Sequence, residues 1–371
     1  MASSLRHIKK EVRALAAYTL AAREAPIKIN QNENPYDLPE ALKRRVLEQA
    51  LGRPWSRYPA FDPQELIEKL AAFSGWRADG ILAGNGSNEL IEALLLVTVG
   101  ERTKVVVPEP TFTLYGLLTR ILGGQPIGVA LGPDLEYDLE ALSRTRRESW
   151  APVTIVCSPN NPTGGVLTPN EVARLCREGD GLVVVDEAYH EFSGQTVVPL
   201  LTHHENLVVL RTFSKAMGLA GLRIGYLLAS PALVCEINKA RLPYNINFLS
   251  QLAAMAALDD YPLLSRTVAQ LTAARETLFE ELGAIPGIRA YPSRANFILI
   301  EIASKAAKAV FEDLFAQGIL VRDVSSYPRL SRCLRLSVGT DVENQKLVAA
   351  LRASLTTTDV TAETHLARLP Y

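Results

Sequence analysis

Cysteine is scarce in this chain of 371 residues. Its four thiols, Cys157, Cys176, Cys235 and Cys333, show no C-x-x-C spacing and are too few for a disulfide framework. A reducing compartment, the cytoplasm, is the simplest expectation. A charge excess is also lacking: 39 basic side chains face 40 acidic ones, for a net charge of -1. That excludes bulk nucleic-acid binding, which needs a basic surplus to replace counterions, but leaves room for a small basic pocket. No run of eighteen apolar residues occurs, so no membrane span is expected. The basic N-terminal stretch, Met1 to Arg23, makes a poor signal-peptide core: Glu11 and Arg13 interrupt its first half, and Tyr18 and Thr19 break the apolar run from Ala14 to Ala22. There is no repeat and no low-complexity tract, and the sequence points to no metal site.

What is present is 48% hydrophobic residues against 21% charged, enough to bury a sizeable core. The length suits two domains, or one large α/β domain with an appendage. Short apolar runs at Ile81–Ala83, Lys104–Pro108, Pro152–Cys157, Gly181–Val185 and Asn206–Leu210 read as strands buried on both faces. Helices between them, such as Glu89–Val97, imply an α/β fold with a mostly parallel central sheet. After Pro243 the texture changes. Leu264, Val268, Leu271, Leu278 and Leu282 recur at helical spacing until Gly283 and Pro286. Ala295–Ile300 reads as a strand. Ser304 is placed to cap a helix carrying Val310, Phe311, Leu314 and Phe315 up to Gly318. Leu334–Val338 alternates like a half-exposed antiparallel strand. The expected division is a large domain over 45–250, with an N-terminal arm (1–44) and a smaller α+β domain (251–371). The last fifteen residues read as a loose tail.

Ligands of open parallel sheets bind at the carboxyl ends of the strands. Ser87 and Asn88, Asn160 and Asn161, Asp186, Tyr189, and Arg211–Lys215 all fall at such ends. Asp186 directly follows a buried Leu-Val-Val-Val run. A buried carboxylate needs a cation or hydrogen-bond donors, and a pyridinium nitrogen would serve; the alternative is a helix cap for Glu187 onward. Lys215 lies between a strand end and a glycine-rich stretch running to Gly225. A lysine with a lowered pKa condenses with an aldehyde. Thr212, Ser214 and Arg223 suit a phosphate dianion. Gly84–Asn88, opening a helix, adds backbone N–H groups and a favourable dipole for the same anion. One carboxylate, one amine and a phosphate cradle are what pyridoxal 5'-phosphate requires.

At this point the chain resembles the fold-type I pyridoxal-phosphate aminotransferases, and within them the histidinol-phosphate aminotransferase branch. The segments that carry the likeness are Asn32-Glu-Asn-Pro-Tyr36, Arg57-Tyr-Pro59, Gly84–Glu89, Glu109-Pro-Thr-Phe112, Ser158–Gly164, Asp186–Phe192, Thr212–Gly225, Pro243–Asn247, Ala295-Asn-Phe297 and Cys333–Gly339. They span residues 30 to 340 in the family's order. The likeness implies that Lys215 forms the Schiff base and shuttles the proton, and that Asp186 pairs with the pyridine nitrogen. Asn161 and Tyr189 would bond the phenolic oxygen, and Phe112 would stack on the ring, where the family often has Tyr. Ser87, Asn88, Thr212, Ser214 and Arg223 would hold the phosphate. Tyr58 would reach it from the neighbouring subunit, which makes the active unit a homodimer. Tyr18 and Asn32 from the arm, with Arg322 and Arg335, would bind substrate. The arm departs from the family in two places: it lacks a glycine-rich stretch before Asn32, and Tyr36 is followed by Asp37-Leu-Pro rather than Gly.

The implied reaction is ping-pong transamination of L-histidinol phosphate with 2-oxoglutarate, yielding glutamate, in histidine biosynthesis. An aromatic amino-acid aminotransferase and a threonine-phosphate decarboxylase are alternatives on the same scaffold. From other classes, a nicotinamide-dependent dehydrogenase finds only a partial glycine fingerprint, because Glu89 stands where the last Gly belongs. A non-enzymatic binding module would have no reason to keep the lysine, the aspartate and the phosphate residues together.

Overall fold

The computed structural model describes residues 3–17 and 23–356. A short β1 (Ile27–Lys28) comes first. Seven strands then build the main sheet: β2 (Ile81–Gly84), β3 (Lys104–Glu109), β4 (Gln125–Ala130), β5 (Val153–Cys157), β6 (Leu182–Asp186), β7 (Leu207–Thr212) and β8 (Gly225–Ala229). Their order across the sheet is β2-β8-β7-β6-β5-β3-β4. The five strands from β7 to β4 run parallel, and β8 is antiparallel to both of its neighbours. The continuous apolar runs are buried on both faces: Val153, Val183, Val185, Leu207 and Val209 have no exposed surface or almost none. One face packs on the helices Glu40–Leu51, Gln64–Ser74 and Phe248–Asp259, and the other on Ser87–Thr98 and the later part of the chain.

Two strands of this sheet carry no readable signal in the sequence. In β4, Pro126 and Gly128 interrupt the pattern, and its burial is that of an edge strand, where proline is tolerated. In β8, the apolar run lies inside the glycine-rich stretch after Lys215, which reads as a loop motif.

A second sheet uses β9 (Ile288–Tyr291), β10 (Phe297–Ile302), β12 (Arg322–Asp323) and β13 (Cys333–Ser337), in the antiparallel order β12-β13-β10-β9. The intervening β11 (Ile319–Leu320) pairs in parallel with β1, which ties the N-terminal segment to this sheet. The helix Tyr261–Gly283 buries Leu264, Val268, Leu271, Leu278 and Leu282, as its spacing predicts.

Two expectations need correction. Ser304 does not cap the next helix, which spans Ala307–Ala316 behind Ala306 and has no side-chain cap. β13 is antiparallel but buried throughout rather than half-exposed. Leu334 and Leu336 face the core, whereas Arg335 and Ser337 are covered by the N-terminal segment: Ser337 N donates to Ile29 O at 3.0 Å and Arg335 Nη2 to Asn30 O at 2.7 Å. Polar alternation marks here a face that binds another segment, not solvent. The C-terminal residues read as a tail lie outside the described residues.

Candidate active site

The carboxyl ends of β5, β6 and β7 open onto a cavity of about 500 Å³ that also meets the N-terminal segment and the small sheet. It is lined by Asn32, Ser87, Asn88, Phe112, Asn161, Asp186, Tyr189, Thr212, Ser214, Lys215, Arg223, Arg322 and Arg335, all expected from sequence. One expected residue that the structure describes is not in it. Tyr58 is 80% exposed and stacks on Tyr244, at 4.6 Å between ring centres. Tyr18 lies outside the described residues. Asn160 and Arg211 turn elsewhere. Asn160 accepts from Thr111 Oγ1 and donates to Pro110 O and Thr163 Oγ1, so it ties two loops together. Arg211 forms a buried ion pair with Glu187 at 2.9 Å.

Asp186 ends β6 in register with Cys157 of β5 and Leu210 of β7. It caps no helix; its Oδ1 accepts the N–H of Ala188, two residues on, at 3.0 Å. Its Oδ2 accepts from the Tyr115 hydroxyl at 2.6 Å. Among the described residues it forms no ion pair. Burial pushes its pKa up to about 6, opposed by these two donors. Tyr115 was missed in the sequence. It is the second residue of the helix Leu114–Ile121, three positions after Phe112, and no signal in the sequence marks it. Cys157, Glu33 and Tyr327 also line the cavity unanticipated.

Lys215 follows β7 by three residues, and its Nζ donates to Gln31 O at 2.8 Å. Burial lowers its pKa to about 7, and the nearby Arg335 and Arg223 add to the fall, against Glu33 and Asp186. Tyr189 lies beneath the ammonium, 5.9 Å from ring centre to Nζ, and accepts from Asn32 Nδ2 at 3.0 Å. Burial raises the Tyr189 phenol well above its usual range. Asn32 is itself fixed by Ser337 Oγ, which accepts its backbone N–H at 2.9 Å.

One end of the cavity forms an anion cup. The helix Ser87–Thr98 starts behind Gly86 with no side-chain cap on its first turn. Arg223 Nη1 donates to Ser214 Oγ at 3.1 Å, and Thr212 Oγ1 accepts the N–H of Ser214 at 3.1 Å. Two glycines allow this approach. A Cβ on Gly225 would lie 2.6 Å from Ser87 N, and one on Gly86, whose φ is +80°, 2.6 Å from Arg223 Nη2. Arg223 has a left-handed backbone (φ +49°), a strained conformation of the kind that gathers at ligand sites. Arg322 and Arg335 are cross-strand partners in the small sheet, and Arg335 Nη1 donates to Asn161 Oδ1 at 2.5 Å.

The family model of aminotransferase class I and II matches residues 24–351. The histidinol-phosphate aminotransferase of Chlorobium phaeovibrioides is 39% identical over 351 residues, 94% of this chain and 97% of that protein. That of Chlorobium phaeobacteroides is 41% identical over 343 residues, 92% and 95% of the two chains. Among solved structures, the histidinol-phosphate aminotransferase from Sinorhizobium meliloti in complex with pyridoxal-5'-phosphate superposes with a TM-score of 0.86 at 26% identity, covering 95% of this chain and 98% of that one. The chain belongs to the aminotransferase class I and II family, among the histidinol-phosphate aminotransferases.

Proposed function

We propose that this protein is a pyridoxal-phosphate-dependent histidinol-phosphate aminotransferase, which exchanges an amino group between L-histidinol phosphate and 2-oxoglutarate in histidine biosynthesis. The observation that carries the reading is one cavity holding a near-neutral lysine, a buried carboxylate with no ion pair among the described residues, an uncapped helix start beside an arginine, and two further arginines. The donor set fits the cofactor. The cup supplies hydroxyls, a guanidinium and helix N–H groups for a phosphate ester. Asp186 has both oxygens bonded yet makes no direct ion pair among the described residues, and a protonated ring nitrogen would supply one.

Bound cofactor supplies an aldehyde for amine exchange and a ring that draws electrons from the substrate's Cα. The chain's residues do the rest. Asp186 holds the ring nitrogen protonated. Asn161 and Tyr189 hold the ring oxygen, with Asn32 orienting Tyr189. Phe112 covers one ring face. Ser87, Asn88, Thr212, Ser214 and Arg223 bind the phosphate. Lys215, with a pKa near 7, exists partly as free amine at neutral pH and so would serve as the base that takes the proton from the substrate's Cα. Arg322 and Arg335 bind the anionic end of either substrate, since a planar fork accepts phosphate or carboxylate. Tyr18 and Asn32 bring the arm to the substrate.

In this reading 45–250 forms the cofactor-binding unit, and 1–44 with 251–371 the arm and the small unit. The active species is a homodimer in which Tyr58 serves the partner's cofactor; its exposure, away from its own cavity, supports this. The four unpaired cysteines favour a cytoplasmic enzyme. Among the described residues no helix is long and apolar enough to cross a membrane. A substrate panel read by glutamate formation tests the activity. A strong preference for phenylalanine over histidinol phosphate, or release of carbon dioxide from threonine phosphate, would overturn the substrate assignment.

A further inference from the structure

A chain of polar contacts runs behind the anion cup, and the reaction makes no use of it. Its far end lies on an exposed aromatic surface. Tyr58 stacks on Tyr244, and Phe61 meets Tyr244 edge-on at 5.5 Å between ring centres. Arg241 lies 5.6 Å over the Phe61 ring with its side chain 3% exposed, and donates to Asp62 Oδ1 at 2.6 Å. The same guanidinium donates to Asn245 Oδ1 at 2.9 Å. The Asn245 amide donates in turn to Glu89 Oε2 at 2.8 Å, and that oxygen also accepts the backbone N–H of Asn85. Glu89 is the third residue of the helix that opens at the cup, and Asn85 precedes its Gly86 cap.

Two features make this more than packing. Tyr244 has a left-handed backbone (φ +56°), which a bulky residue adopts only where its surroundings enforce it. Glu89 places a negative charge in the first turn, favourable for the helix dipole but unfavourable beside the dianion that Ser87 and Asn88 are to hold. The relay resolves this conflict. It draws the carboxylate oxygen back onto Asn85 N–H and the Asn245 amide, and it leads to the cation of Arg241. Gly84 leaves room for this: a Cβ there would come within 3.0 Å of Glu89 Oε2.

We propose that Glu89, Asn245 and Arg241 are positioning residues for the phosphate-binding loop Asn85–Asn88, and that within one subunit they link the geometry of that loop to Asp62. The inference rests on the cavity being the pyridoxal-phosphate site. Breaking the relay should therefore weaken binding of the phosphate ester and spare the rest of the cofactor.

The test titrates pyridoxal 5'-phosphate, and separately pyridoxal, against the purified full chain by absorbance, with the melting temperature as a control. Asn245→Ala is expected to raise the dissociation constant for pyridoxal 5'-phosphate by roughly tenfold, the loss of one charge-assisted hydrogen bond, and that for pyridoxal by less than about twofold. Asp62→Ala, at the solvent end, should weaken the ester by roughly threefold, and the double variant by no more than Asn245→Ala alone, because a relay breaks once. Glu89→Gln keeps the oxygen that accepts from Asn85 and should rescue affinity that Glu89→Ala loses. If Asn245→Ala does not fold, Asp62→Ala and Glu89→Gln carry the test. Equal weakening of both ligands, unchanged affinity for the ester, or additive losses in the double variant would overturn the relay. A wild-type chain that takes up no pyridoxal 5'-phosphate overturns the functional reading and this inference together; a binding wild type with indistinguishable variants overturns this inference alone.

Discussion

Replacing Tyr115 with Phe removes one hydroxyl and keeps the ring that packs edge-on against Phe112. That hydroxyl donates to Asp186 Oδ2 at 2.6 Å, with Tyr115 fully buried and Asp186 3% exposed. In the variant the carboxylate keeps only the Ala188 N–H on Oδ1. Burial already holds Asp186 at about 6, against an ordinary 3.8, and the Tyr115 hydrogen bond is the strongest influence opposing that rise. A hydrogen bond to a charged group contributes about 1.5–3 kcal/mol, and one pKa unit corresponds to about 1.4 kcal/mol. The carboxyl should therefore rise by a further one to two units, roughly.

The consequence is a change in how stability depends on pH. The folded-state pKa of Asp186 lies above its unfolded value. Its contribution is then complete below the unfolded pKa and is lost as pH rises through the folded one. In the wild-type apoprotein that loss, about 3 kcal/mol, falls between pH 3.8 and about 6. In Tyr115→Phe it continues to about pH 7–8. Urea denaturation of both apoproteins from about pH 4 to 8 isolates this carboxyl as the difference between two curves, and the deficit of the variant should widen by about 1.5–3 kcal/mol over that range. Parallel curves would show that Tyr115 does not hold the charge of Asp186.

Lys215→Ala should abolish transamination while the melting temperature of the apoprotein changes little, because this half-buried amine packs no core; in the wild-type apoprotein, labelling of Lys215 by an amine reagent should rise with a midpoint near pH 7, and a midpoint above about pH 9 would contradict its lowered pKa. Arg335→Lys keeps the charge but cannot bond Asn161 and Asn30 together, so KM for histidinol phosphate should rise by roughly tenfold or more with cofactor affinity nearly unchanged; equal loss of both would move Arg335 from substrate binding to cofactor support. Gly225→Ala forces a methyl to 2.6 Å from Ser87 N and 2.8 Å from Arg211 O, both backbone atoms, so it should cost about 1–3 kcal/mol and weaken cofactor binding, and a fully stable variant with intact affinity would refute the close approach.

Much of the site was legible because its residues follow strand ends. Asp186 closes an apolar run that only a buried strand explains, and Lys215, Thr212 and Ser214 follow the next such run. What stayed hidden depends on contacts between distant segments. Tyr115 looks like one more aromatic on a helix until β6 places Asp186 against it, 71 residues away in the chain. The alternation of β13 gave the right strand but the wrong environment, because the segment covering it comes from more than 300 residues earlier, where Asn30 and Asn32 meet Arg335 and Ser337. β4 hid behind Pro126 because edge position, which makes proline acceptable, is a property of the sheet and not of the strand.

Burial moves Lys215 and Asp186 in opposite directions, to about 7 and about 6, and in both cases toward the neutral form. The cavity is thus desolvated before any ligand supplies the charges that desolvation makes costly. Its fixed cations sharpen the asymmetry: Arg335 and Arg223 both push the lysine toward the free amine. An anion in the cup would screen Arg223, and a cationic ring nitrogen would hold Asp186 ionised, so each end of one ligand relieves a different strain on the chain. Burial is the main cause of the lowered lysine pKa, and if Arg223 and Arg335 hold phosphate and substrate as proposed, the smaller part due to them changes with the anions they bind. On that reading an anion bound at Arg335 would make the lysine more basic, and the size of the effect is limited by the share of the shift that the arginines carry.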